Sequence, residues 1–350
     1  MSRQMKKVLV TGHQGYIGRV LVEMMVAGGY DVAGLDCGYF AAQRLVPVTA
    51  AIPETIKDIR DIGPEDVAGF DAIIHLAALS NDPLGNVNAR WTAEINHQAS
   101  VALARLARQA GVARFLFSSS CIMYGMSEMA VVNEDSPQDP QTEYARSKVA
   151  SEREIRALAG DGFSPVYLRN GTIYGVSPCM RFDTVLNSLV GSAVTGGRVV
   201  VLGDGKPWRP VTHVEDVCRY FLHVLEAPVA AIHNQAFNCG ADHLNYEIRS
   251  LAEFAAAAVP GATVDIRNGP EADRRTYKVD FTRFRTTFPD FAFKWDAKRG
   301  AEDLYRAFVG IGLTAETFSG DDFIRLKSLK RLTAEGRLDD TLRWRDGRRP

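Results

Sequence analysis

Tyr144 and Lys148 stand four residues apart in Tyr-Ala-Arg-Ser-Lys, a short way downstream of the triple serine Ser118-Ser119-Ser120. On a helix, residues i and i+4 share a face about 5–6 Å apart, so an ammonium can lie beside a phenol. A free tyrosine ionises at about pH 10. A neighbouring cation favours phenolate and draws that value toward the working pH, where a general base is most effective. A serine hydroxyl brought in from a strand can hydrogen-bond the same substrate oxygen. Ser120, Tyr144 and Lys148 together therefore suit the removal of a proton from an alcohol while a hydride leaves its carbon. The Tyr–Lys spacing alone recurs by chance in helical proteins, so the surrounding elements must decide.

The first of those elements is a phosphate cradle. Lys7–Thr11 is a short apolar run stopped by a turn, the pattern of a buried strand. Gly12-His-Gln-Gly15-Tyr-Ile-Gly18 follows, then Val20, Leu21, Met24 and Met25 at helical spacing up to Gly28-Gly29. A strand, a glycine turn and a helix start point backbone N–H groups and the positive end of the helix dipole at an anion. The glycine spacing is G-x-x-G-x-x-G rather than G-x-G-x-x-G, but the strand–turn–helix context that gives the fingerprint its meaning is present. A second strand, Asp31–Asp36, ends in an acid eighteen residues after Gly18. A carboxylate there accepts from adenosine ribose hydroxyls and repels a 2′-phosphate, which predicts NAD rather than NADP. Gly12, Gly15, Tyr16, Ile17, Gly18 and Asp36 are the expected cofactor contacts of this region.

Strand-like and helix-like segments alternate through residue 170, the signature of an α/β protein with a doubly wound parallel sheet. Residues 71–78, 114–119 and 165–169 read as further strands, and long helices are expected over about 91–109, ended by Gly111, and 142–159. Beyond Gly175 the pattern turns irregular and glycine-rich. A strand at Arg198–Leu202 and helices near 184–195 and 246–258 predict a smaller C-terminal substrate lobe, partly interleaved with the first. The expected division is 1–175 for the dinucleotide, 176–310 for substrate and 311–350 as a helical extension. In that extension Phe323, Leu326 and Leu329 fall at helical spacing and could pack on the body or on a partner.

Bulk properties exclude several functions. Net charge is −1, with 41 basic against 42 acidic residues, so no global footprint for nucleic acid or a membrane surface exists. No apolar stretch approaches the roughly 20 residues of a membrane span. The first residues lead straight into a core strand with no signal-peptide apolar region, so a cytoplasmic location is expected. The five cysteines, Cys37, Cys121, Cys179, Cys218 and Cys239, form no C-x-x-C pair and no metal-ligand spacing. They are expected to be buried reduced thiols, and no metal site is expected.

Over roughly residues 5 to 310 the chain resembles the extended short-chain dehydrogenase/reductase family, in particular nucleotide-sugar epimerases and dehydratases of the UDP-galactose 4-epimerase kind. The residues that carry the resemblance run in order. They are the glycine loop at 12–18, Asp36, Asp58-Ile59, His75-Leu76-Ala77-Ala78, Asn96, Ser118 through Gly125, and Tyr144-x-x-x-Lys148. Leu168-Arg169 through Tyr174-Gly175 and Arg209 through Asp216 complete the series. The resemblance implies a Rossmann fold and an NAD cofactor, with Ser120 as the family's catalytic Ser/Thr beside Tyr144 and Lys148. It implies that Asp58 and Ile59 receive the adenine, that Leu76, Ala77, Ala78 and Ser118 line the cofactor, and that Asn96 supports it from the helix behind. His75 is read as ordering a strand end rather than performing chemistry.

On the substrate side the resemblance points to Ser80, Ser120, Thr172, Asn187 and Arg209. Arg274 and Arg275 stand where the family's downstream arginine is otherwise missing. Guanidinium forks bind phosphate oxygens bidentately, so Arg209 with Arg274 or Arg275 is a candidate clamp for a diphosphate. Many family members carry asparagine at the position of Thr172, which leaves the sugar open. The positions after Ser120 are Cys121 and Ile122, where the 4,6-dehydratases carry acidic residues for water elimination. The expected activity is therefore an NAD-dependent epimerase of a nucleotide-diphosphate sugar, acting at C4 through a transient 4-keto intermediate. A keto-sugar reductase using the same residues, a 4,6-dehydratase, and a redox-inactive NAD-binding regulatory protein are the rivals. The resemblance also implies a homodimer through a four-helix bundle, to which Val101, Leu103, Leu106, Ile155 and Leu158 would lend apolar surface.

Overall fold

Alternate residues of strand β1 (Lys7–Thr11) serve opposite layers: Val8 and Val10 enter one hydrophobic core and Leu9 the other. That is the requirement on a strand covered by helices on both faces, and it explains why the run is apolar throughout rather than alternating. The computed structural model describes residues 7–80, 82–126, 129–267 and 275–345. Arg274 therefore lies outside the described residues.

Around β1, the strands β2 (Asp31–Asp36), β3 (Glu54–Ile56), β4 (Ala72–His75), β5 (Arg114–Ser120), β6 (Ser164–Asn170) and β10 (Ala236–Cys239) build one sheet. Its seven strands run in the order β10-β6-β5-β4-β1-β2-β3, and every pairing is parallel. Strand order reverses between β1 and β4, which opens a crevice beyond their carboxyl ends, the usual seat of a ligand in such a sheet. Helix α1 (Tyr16–Ala27) follows β1 as the spacing predicted.

The long helix expected over 91–109 is not uniform. A short turn at Ala89–Thr92 passes into a π-helical stretch, Ala93–Gln98, before α2 (Ala99–Gln109), and Gly111 ends the run at φ +76°. Helix α3 (Glu143–Arg156) carries Tyr144 and Lys148, and the Thr142 hydroxyl caps it by accepting from Ala145 N–H at 3.1 Å. Val101, Leu103 and Ile155 are at most 3% exposed and belong to the core of this chain. The apolar spacing taken as an interface signal is thus spent inside the protomer. Only Leu106 and Leu158 of that set keep partial exposure.

The smaller lobe holds the three-stranded sheet of β7 (Thr172–Tyr174), β9 (Trp208–His213) and β11 (Asn245–Glu247), with the parallel pair β8 (Arg198–Leu202) and β12 (Thr263–Arg267). Helices α4 (Val185–Gly196), α6 (Ile248–Ala258) and α7 (Ala297–Gly310) pack on one another there. Between α4 and α6 the chain twice revisits the large sheet: α5 (Val214–Glu226) lies against α1, and β10 joins the sheet beside β6.

The C-terminal extension packs on the body. Leu329 and Leu332 of α8 (Arg325–Ala334), with Leu338 and Leu342, enter the core that holds Leu9 and Phe115. Phe323 packs edge-on against Phe182. The tail then crosses the rim of the sheet. Trp344 Nε1 donates to the Cys37 carbonyl at 2.6 Å, Trp91 Nε1 to the Asp340 carbonyl at 2.8 Å, and Arg60 to the Thr341 carbonyl at 2.8 Å. Four cysteines are buried as expected, while Cys37, on that rim, is partly exposed; all five are free thiols. Among the described residues no helix is long and apolar enough to cross a membrane.

Candidate active site

The crevice beyond β1 and β4 is a cavity of about 610 Å³ that runs from the glycine turn, past the end of β5, into the smaller lobe. At the turn, Gly12 adopts φ +75°, and a Cβ there would meet Ala77 N at 2.6 Å. Gly18 is needed for a different reason: its Cβ would strike the Gly12 carbonyl at 2.3 Å, so helix and turn could not approach. Gly15 caps α1 without a side-chain acceptor, and no acid stands in the first turn. The start of the helix is therefore left for an external anion.

Asp36, at the end of β2, is held by two backbone donors, Gln14 N–H at 3.1 Å and Gly38 N–H at 2.9 Å, and it lines the cavity. Asp58 and Ile59 line it next, with Asp58 gripped by the Arg60 guanidinium at 2.9 and 2.6 Å. Leu76, Ala77, Ala78 and Ser80 form the wall after β4. A glycine turn that a side chain would block, an open helix start and a fixed carboxylate one strand away fit a dinucleotide.

Asn96 does not reach the cavity. Within the π-helical stretch, its amide accepts from Leu79 N–H at 2.7 Å and donates to the Leu79 carbonyl at 3.0 Å, so it fixes the wall at 76–80 from behind. Asn187 is likewise withdrawn: it is fully buried and ties Gly175 N–H, the Tyr16 hydroxyl and the Arg181 carbonyl together. Asn96 thus has the supporting place expected of it, while Asn187 is scaffold rather than substrate wall; both amides are consumed by buried partners. His75 bridges Thr11 at 2.6 Å and Ser100 at 2.7 Å, and burial pushes its pKa down to about 3, so it ties strand to helix as a neutral ring.

Ser118, Ser119 and Ser120 end β5 at the cavity, and α3 brings Tyr144 and Lys148 over them. Lys148 Nζ donates to the Ser118 carbonyl at 2.7 Å and lies 5.6 Å from the Tyr144 ring centre and 4.7 Å from that of Phe117. The pairing does not lower the tyrosine in the protein by itself. Burial pushes the Tyr144 phenol up to about 12, Asp82 adds to the rise, and Arg181 and the Ser120 hydroxyl pull it back. Burial also takes Lys148 down to about 8, against the pull of Glu152. Desolvation dominates at both groups because both are removed from water.

Toward the smaller lobe the wall contains Thr172, Arg209, Arg275 and Tyr277. Arg209 lies over the Tyr277 ring and donates to the Arg275 carbonyl, while Arg275 pairs with Asp82. Asp82, Arg181, Asp183 and Arg325 line the cavity without having been singled out from sequence. Arg181 donates to the Ser80 hydroxyl at 3.0 Å and to Asp183 at 2.9 Å. For Arg181 and Asp183 the one signal was the pair of opposite charges flanking Phe182; Asp82 and Arg325 carried none.

The NAD dependent epimerase/dehydratase family matches this chain over residues 8–240. A UDP-glucose 4-epimerase of Streptomyces lividans is 30% identical over 256 residues, which span 68% of this chain and 74% of that protein. A dTDP-glucose 4,6-dehydratase of Streptomyces venezuelae, solved with NAD bound, superposes with a TM-score of 0.76 at 25% identity over 87% of this chain and 97% of that one. A UDP-glucose 4-epimerase of Thermotoga maritima, at 21% identity, shares the fold with a TM-score of 0.76 over 87% of this chain and 99% of its own.

Proposed function

Because the chain belongs to the NAD dependent epimerase/dehydratase family, we propose that it is an epimerase of a nucleotide-activated sugar, acting at C4 through a transient 4-keto intermediate. The observation that favours epimerase over dehydratase is the pair after Ser120. Cys121 is fully buried, its thiol turned to the Arg169 carbonyl at 3.2 Å and its pKa pushed well up by burial, while Ile122 presents hydrocarbon to the cavity. Neither can trade a proton with a sugar. The cavity's other acids near Tyr144 are engaged: Asp82 by Arg275 and Asp183 by Arg181.

In this reading NAD, when bound, supplies the acceptor and later the donor of one hydride. The glycine turn and the start of α1 hold its phosphates, and Asp36 takes the adenosine ribose. Tyr144 accepts the C4 hydroxyl proton, Ser120 fixes that oxygen, and Lys148 holds the nicotinamide ribose and steadies the phenolate. Arg209 and Arg275 bind the nucleotide diphosphate. A homodimer through α2 and α3 would have to use their outer faces, where Arg105 and Arg108 flank Leu106.

Purified protein should interconvert two nucleotide sugars with no added NADH, carry deuterium from substrate C4 into product, and take up none from solvent. NMR of the product reads all three. Solvent deuterium beside a ketone would mark a dehydratase. Stoichiometric consumption of reduced cofactor, with no interconversion in its absence, would replace the epimerase by a keto-sugar reductase. Asp36→Ala should weaken NAD binding and improve NADP binding, because the carboxylate both pairs with ribose hydroxyls and repels the extra phosphate. Calorimetric titration of both cofactors checks this, and an unchanged preference would remove Asp36 from the ribose.

A further inference from the structure

Arg325 is the first residue of α8, well past residue 240 where the family match ends, yet it lines the cavity. It is 2% exposed. Among the described residues its guanidinium donates only to neutral acceptors, the Gln43 amide oxygen at 2.8 Å, the Cys179 carbonyl at 2.8 Å and the Cys179 sulfur at 3.0 Å, and lies over the Phe40 ring at 4.2 Å. Among the described residues no carboxylate stands within ion-pairing distance of it. Asp183, whose charge acts on it, is already gripped by Arg181, itself a like charge. A guanidinium does not give up its proton in a protein. Held out of water without an ion-pair partner, it is a standing cost that an entering anion would reduce.

Its position indicates which anion. Cys179 lies two residues past Ser177, whose hydroxyl donates to the Tyr16 carbonyl at 2.7 Å, so the segment gripping Arg325 leans on the first turn of α1. That turn is the phosphate cradle. We propose that Arg325 is a phosphate-binding residue for the pyrophosphate of the bound dinucleotide, which makes the C-terminal extension a strap across the cofactor. The tail beyond α8 extends the same strap, through Trp344 on Cys37 and Thr341 on Arg60, along the adenosine end of the cavity. The proposal rests on the reading of this cavity as an NAD site.

The test is calorimetric titration of full-length protein, stripped of nucleotide, with ADP-ribose, adenosine and UDP. Arg325→Met keeps a chain over Phe40 but loses the fork. It should weaken ADP-ribose by about 10- to 100-fold, the worth of a charge-assisted hydrogen bond, and leave adenosine and UDP unchanged, with Arg325→Lys between. Equal losses for adenosine and ADP-ribose would make Arg325 a prop of the fold. Loss for UDP alone would assign it to the substrate's diphosphate, and unchanged binding of all three would remove it from both; each result overturns the proposal. Wild-type protein that binds neither ADP-ribose nor adenosine refutes the NAD reading itself, a different failure. Should Arg325→Met not fold, amide exchange of the unaltered protein decides: ADP-ribose, but not adenosine, should slow exchange across residues 322–334, and an unchanged rate overturns the strap.

Discussion

Tyr144→Phe should abolish turnover, by at least about 10²-fold, the lower end of what a general base contributes, while cofactor affinity and melting temperature stay close to those of the parent. The ring's contacts survive the change, and only an ionisable oxygen facing Ser120 is lost. The effect should be large because nothing stands in reserve. Lys148 is committed to the Ser118 carbonyl and His75 to Thr11 and Ser100, and Cys121 faces away from the cavity. Burial pushes the phenol up to about 12, so making a phenolate needs further positive charge, which NAD would supply when bound. Turnover measured by NMR, with NAD titration and a thermal melt as controls, checks the prediction. Near-normal activity would remove Tyr144 from the chemistry.

Arg169→Met should destabilise the protein by about 3–5 kcal/mol, the cost of stranding one member of a buried ion pair. Arg169, on β6, reaches Glu152 of α3 through both arms of its fork, at 3.1 and 2.7 Å, and both residues are 3% exposed. It also donates to the Tyr124 hydroxyl at 2.9 Å and the Glu134 carbonyl at 3.1 Å. Removing the fork leaves the Glu152 carboxylate with neither water nor partner. Urea denaturation monitored by circular dichroism should show the loss, and Arg169→Met combined with Glu152→Met should recover much of it because no charge is then stranded. A single-variant loss within error of zero would mean that the pair is not desolvated in solution. Glu152 lies one turn beyond Lys148, so the pair also fixes how α3 seats its Tyr–Lys face over the end of β5.

The parts of the site legible in sequence are those whose members lie close along the chain. Gly12, Gly15 and Gly18 fall within one turn, Tyr144 and Lys148 within one helical turn, and Asp36 at the end of a strand whose apolar run announces it. Local spacing constrains such groups because the backbone itself carries them. Arg181, Asp82 and Arg325 come from an irregular segment, a single helical turn and the far end of the chain, and only the tertiary fold brings them to the cavity. Asn187 was placed one layer too far forward, since sequence does not reveal which buried amides are spent inside the scaffold. The rise of the Tyr144 phenol on burial was hidden for a related reason: charge is visible in a sequence and desolvation is not. Val101, Leu103 and Ile155 show the same limit, because an apolar stripe looks alike whether it meets its own sheet or another copy.

The return of β10 to the edge of β6, some sixty residues after β6 ends, has a consequence for biosynthesis. Until residue 239 has emerged, the nascent large sheet ends in β6, a seven-residue strand with an open row of backbone donors and acceptors and with Val166 and Leu168 on one face. Such an edge invites pairing with other chains. The whole of β7, α4, β8, β9 and α5 must be synthesised and looped out before the sheet is closed, and a parallel closure over that separation is slow. An amino-terminal fragment cut near residue 175 would carry that open edge permanently, so the half that holds the phosphate cradle and the Tyr–Lys helix is the half least suited to exist alone.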